Sequence, residues 1–140
     1  MDKNELMVGD WVTILKFREN GSNRYVKVNA VGAECILAPG MFQNESGCNP
    51  YDFKQLAPIL LTEDILQANE FRYFSSATPY YYEENRDVTI LKNQGYEGYA
   101  THILGKRINI RYVHELQHAL RLCGRGDVAN KLKIDNNYEN

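Results

Sequence analysis

His114, Glu115 and His118 stand in the spacing H-E-x-x-H, within the stretch YVHELQHALRLCG at 112–124. On a helix, two imidazoles one turn apart share a face and can hold a zinc ion, while the intervening carboxylate deprotonates the metal-bound water. A hydrolase of this kind also needs a third ligand. The extended form H-E-x-x-H-x-x-G-x-x-H is broken here, because Arg121 takes the glycine place and Gly124 the third-ligand place. Beyond Gly124 only Asp127, Asp135 and Glu139 could supply a carboxylate, and none falls on an expected packed helix. Arg121 and Arg125 would also set fixed positive charge beside a dication, which weakens its binding.

A helix over 112–123, closed by Gly124 at its C′ place, is what must position these residues. With Val113 at zero and 100° per residue, Tyr112, Leu116, Ala119, Leu120 and Cys123 fall at roughly 260°, 300°, 240°, 340° and 280°. They make the expected core face. His114, His118, Arg121 and Arg125 fall at roughly 100°, 140°, 80° and 120°, so the two histidines are expected to look outward from a basic, solvated face. On that expectation neither Glu115 as a base nor a zinc ion on His114 and His118 is favoured, and the expected cofactor set is empty, with zinc as the alternative.

The same face suggests a different chemistry. Between Lys106 and Arg125 five bases (Lys106, Arg107, Arg111, Arg121, Arg125) meet one acid, Glu115, whereas 63–97 carries seven acids and three bases. Such a patch could bind phosphates, with Arg121, Arg125, His114 and His118 as its candidate contacts, although an ordinary mixed surface is the expected reading. Tyr80, Tyr81 and Tyr82 could stack on bases, and Trp11 with Phe17 could line a peptide groove; strand and core packing are expected for both sets. No glycine-rich phosphate loop and no nucleophile elbow is present, and Cys123 lies on the apolar stripe, where a thiolate is disfavoured.

The surrounding chain sets the frame. With 140 residues, 44% hydrophobic and 24% charged, and a net charge of −2, it has the composition of a globular protein with a real core and no overall charge for nucleic acid. Three scattered cysteines without C-x-x-C suggest reduced thiols, and the opening MDKNELMVGDW has no apolar leader region, so a cytoplasmic protein without a membrane segment is expected. Residues 1–58 alternate apolar and polar positions in several short runs around Asn20-Gly21 and Pro39-Gly40, which predicts an SH3-like small β-barrel. Within it, Trp11, Thr13, Leu15 and Phe17 share one face of the first strand, 24–31 reads as one run, 41–50 as an exposed loop, and 51–56 as a strand. Residues 59–140 are expected to form an α+β lobe: a helix over 62–70 with Thr62 at its N-cap, an antiparallel meander over 71–111, and the 112–123 helix.

The blocks LMVGDWV near the start, PILLTEDIL at 58–66 and YVHELQHAL at 112–120 resemble a family of small uncharacterised bacterial and prophage-borne proteins. Their pattern runs L-x-x-G-[DN]-x-V, P-I-x-L-T-E-[ED]-x-L and V-H-[EQ]-L-Q-N. The place of His118 is usually asparagine there and that of Glu115 can be glutamine. The resemblance implies no activity, cofactor or substrate; it implies that Val113, His114, Leu116 and Gln117 belong to a recurring packed helix start. The expectation is therefore an α+β, non-catalytic interaction or accessory protein, phage or mobile-element associated, with a protein partner. The alternatives are a nucleic-acid binder using the basic helix face and a zinc hydrolase using HELQH.

Overall fold

The computed structural model describes residues 1, 3–15, 24–39, 48–73, 80–82, 89–93 and 97–134. The fold is α+β, and the chain divides into two compact units, Met1–Ile59 with Ile134–Asn140 and Leu60–Lys133. No described helix is long and apolar enough to cross a membrane.

The first unit carries β1 (Trp11–Ile14), β2 (Tyr25–Lys27), β3 (Ala30–Val31), β4 (Cys35–Pro39), β5 (Cys48–Asp52) and β6 (Leu56–Ala57). They form two antiparallel three-stranded sheets, ordered β2-β1-β6 and β3-β4-β5. The run expected as one strand over 24–31 crosses from one sheet to the other at Val28 and Asn29, whose N–H groups donate to the carbonyls of Asp10 and Leu37. Val12, Ile14, Val26, Val28, Ile36, Ala38, Tyr51 and Leu56 make the core. The apolar set on β1 therefore faces opposite to the expected one: Val12 and Ile14 are inside, while Trp11 is only half-buried, with the Lys27 ammonium 5.4 Å from its ring centroid. Thr13 is buried as well, because its hydroxyl can donate to the Arg24 carbonyl at 3.1 Å.

Two further boundaries differ from expectation. Cys48–Pro50, expected in a loop, are part of β5, and the expected strand at 51–56 is interrupted by a 3-10 turn at Phe53–Gln55, where the Asp52 N–H donates to the Gln55 side chain at 2.9 Å. Phe17 and the expected hairpin turn at 18–23 lie outside the described residues, and among the described residues the two sheets share no ladder.

Before β1 the chain turns at Gly9, whose φ of 93° disfavours any side chain. The fully buried Asp10 holds this turn, its carboxylate accepting from the Met7 N–H at 2.8 Å. Leu6 is buried beside it in the core. The block LMVGDWV is thus a strand-entry turn.

The second unit opens with α1 (Glu63–Ala68), where the Thr62 hydroxyl accepts from the Ile65 N–H, and Glu63 and Asp64 fill the first turn. Strands β7 (Arg72–Tyr73), β8 (Tyr80–Tyr82), β9 (Thr89–Lys92), β10 (Tyr99–Ile103) and β11 (Lys106–Ile110) then pair antiparallel in chain order, a five-stranded meander. The orientation of the three tyrosine rings of β8 lies outside the described residues. The chain continues into α2 (Val113–Leu122) and α3 (Gly126–Lys131). α3 corrects the two-helix expectation, with Arg125 at its N-cap and Asp127 in its first turn. Phe71, Leu66, Ile90, Ile110, Leu116 and Leu120 are each at most 1% exposed, and burying a side chain of this kind contributes about 1.5–3 kcal/mol.

Candidate functional site

Helix α2 begins without a Ser, Thr, Asp or Asn at its N-cap; Tyr112 stands there with φ −119°. The N–H groups at its entry are taken up by Glu115, whose Oε1 accepts from the backbone N–H groups of Arg111 at 2.9 Å and Tyr112 at 3.0 Å. This is the returning half of a capping box, in which the acidic residue at N3 reaches back to the cap. The carboxylate that a zinc hydrolase would use as its base is therefore folded back on the backbone at the helix start. A glutamine could make the same contacts through its amide oxygen.

The histidines do not share an outward face. His114 is 5% exposed and His118 is half-buried. The His114 ring stacks on Tyr112 at 5.9 Å with 9° between planes, and meets His118 edge-on at 5.6 Å. Gln117 is fully buried and donates from Nε2 to the Ala129 carbonyl at 3.3 Å. The cause is α3. The wheel placed one packing partner on one side, but α2 contacts β10 and β11 and also α3, so its buried arc widens to include Gln117. The outward reading of His114 is corrected by its 5% exposure.

After Leu122 the backbone closes in a Schellman arrangement, with the Arg125 N–H donating to the Leu120 carbonyl at 2.8 Å and the Gly124 N–H to the Arg121 carbonyl at 3.1 Å. Arg125 then pairs with Asp127 at 3.3 Å, and that hydrogen bond holds the Asp127 carboxyl below its ordinary value. The patch assigned to the helix is thereby partly neutralised at Arg125; Arg121 is half-buried. Asp127 does lie on a helix, contrary to expectation, but its carboxylate is engaged by Arg125. Asp135 and Glu139 lie outside the described residues. Among the described residues no group of three or more His, Cys, Asp or Glu side chains comes together in a way that could hold a metal ion. Burial pushes the Cys123 thiol up from its ordinary value, in keeping with its place on the apolar stripe.

The other three bases of the basic stretch lie elsewhere. Lys106, Arg107 and Arg111 are exposed on and just after β11, and an Arg107 guanidinium N–H donates to the Asn93 side-chain oxygen. Between them and β10 is the tight turn Leu104-Gly105, with φ values of 52° and 78°. Leu104 is 99% exposed. No sequence expectation singled out this leucine; the signal available was the missing asparagine in a turn between two alternating runs, I-L-G-K in place of an Asn-Gly. Comparison of the chain with family models, curated proteins and solved structures found no match.

Proposed function

We propose that this chain is a non-catalytic interaction protein, an accessory factor of a phage or mobile element working in the cytoplasm, in which HELQH is an architectural sequence. The observation that carries the reading is the Glu115 carboxylate on the Arg111 and Tyr112 N–H groups. With Glu115 as a cap, His114 packed on Tyr112, Leu116 in the core and Gln117 tied to Ala129, four of the five residues of the pattern have a task in helix placement. The resemblance blocks read alike: LMVGDWV makes the Gly9-Asp10 turn, PILLTEDIL the Thr62 cap, YVHELQHAL the α2 start. Residues that recur for folding leave binding to other surfaces.

The first unit is proposed to be a half-open SH3-like barrel. Supporting this are a strand that crosses between the two sheets at Val28-Asn29, and a 3-10 turn placed directly before the last strand, which returns to pair with β1.

The test is metal content, measured on protein purified without chelator, for the wild type and for His118→Asn. The expected result is no stoichiometric zinc in either. One zinc per chain that disappears in His118→Asn would establish the hydrolase reading instead, with His114 and His118 as ligands and Glu115 as base.

A further inference from the structure

We infer that the β10–β11 hairpin is a duplex-DNA probe, with the Leu104 tip entering the major groove and Lys106, Arg107 and Arg111 placed along the phosphates. Three observations meet there. The turn Leu104-Gly105 needs positive φ at both positions, a geometry that favours Asn-Gly. A leucine strains that backbone and gains no burial, since it is 99% exposed, so folding gives no reason for its side chain. Along the hairpin sequence charge has one sign: from Gly98 to His114 there are Lys106, Arg107 and Arg111, exposed His102, and no carboxylate. Finally, among the described residues β10 pairs with β11 along all five residues from Tyr99 to Ile103 and with β9 at Tyr99 and Ala100, with the Thr101 hydroxyl donating to the Thr89 carbonyl at 2.8 Å, so the described tip from His102 to Arg107 is a two-stranded ribbon.

The anionic partner follows from shape. A two-stranded ribbon fits the major groove of B-form DNA, where an apolar side chain can touch thymine methyl groups. The A-form major groove of duplex RNA is too narrow to admit it. An anionic membrane would gain little from one leucine, since even a whole myristoyl chain binds only marginally. This surface also differs from the Arg121 and Arg125 face expected from sequence, where Arg125 is paired to Asp127.

The inference rests on the non-catalytic reading above, and the experiment separates the two. Fluorescence anisotropy of a labelled A·T-rich duplex is followed as KCl is raised, using the full chain, Leu104→Asn and Lys106→Gln. Leu104→Asn suits the turn, so its fold is retained, checked by circular dichroism. Wild type is expected to bind with affinity falling as salt rises; Leu104→Asn to lose about tenfold without changing the salt slope; Lys106→Gln to reduce that slope by about one. Replacing thymine by uracil in the duplex should weaken the wild type and leave Leu104→Asn unaffected. Equal binding by Leu104→Asn, indifference to the thymine methyls, preference for the RNA duplex or for phosphatidylglycerol vesicles, or no duplex binding at low salt would each overturn the inference. A metal-free protein that ignores DNA ends this inference alone, whereas stoichiometric zinc on His118 ends the underlying reading.

Discussion

The Glu115 carboxylate accepts the N–H groups of Arg111 and Tyr112, just before the first turn of α2. Truncating it in Glu115→Ala returns both donors to solvent, and the expected loss is about 1 kcal/mol, the usual worth of a helix cap. Glu115→Gln keeps an acceptor and is expected to lose less, a difference that urea denaturation of the two variants resolves. Equal losses would mean that charge near the helix dipole, and not the hydrogen bond, carries the effect. At this scale the sequence was legible in kind. Residue types and spacing gave the helix and its N3 acid, and the structure adds that Oε1 of this acid turns back to the Arg111 and Tyr112 N–H groups.

Between elements, the contact that redirected the site is α2 against α3. Gln117 lies fully buried between them and donates to the Ala129 carbonyl. Gln117→Ala removes that donor and leaves the Ala129 carbonyl with the Leu132 N–H at 3.4 Å, so the loss of one buried hydrogen bond, about 0.5–1.5 kcal/mol, is expected, read as a lowered denaturation midpoint. A change below a few tenths of a kcal/mol would show that water replaces the amide. A second polar clamp secures the far end of the helix pair: the Asn69 amide donates to the Lys133 carbonyl at 2.9 Å and accepts from the Lys133 N–H at 2.7 Å. Helix α1 with its Thr62 cap and the five-strand meander could be read from periodicity, cap chemistry and turn residues. α3 could not, because a six-residue helix opening on Arg-Gly-Asp has too few turns to print an apolar period.

For the molecule as a whole, pH should erode stability from both ends. The Asp127 carboxyl titrates below its ordinary 3.8 because Arg125 holds its ionised form; its contribution is complete above the unfolded value and disappears as pH falls through the lower folded one. The Tyr99 phenol titrates above its ordinary 10.0, mainly through desolvation by burial and secondarily through the Glu63 charge. Above that value the unfolded chain loses its proton first, so the stability tied to the neutral phenol declines as pH rises through the higher folded value. Thermal midpoints followed across pH should therefore fall less steeply in acid for Asp127→Asn and less steeply in alkali for Tyr99→Phe. Parallel curves for wild type and variants would rule the two groups out. The sequence by itself determined the α+β class, the capped α1, the meander and the extent of α2, since these follow from local periodicity and from residues that satisfy nearby backbone groups. Tertiary structure alone decided which side of β1 is core and that Gln117 is tied to the Ala129 carbonyl of α3. A helix wheel or strand alternation assigns faces relative to one partner, and each of these outcomes depended on a second partner arriving from elsewhere in the chain.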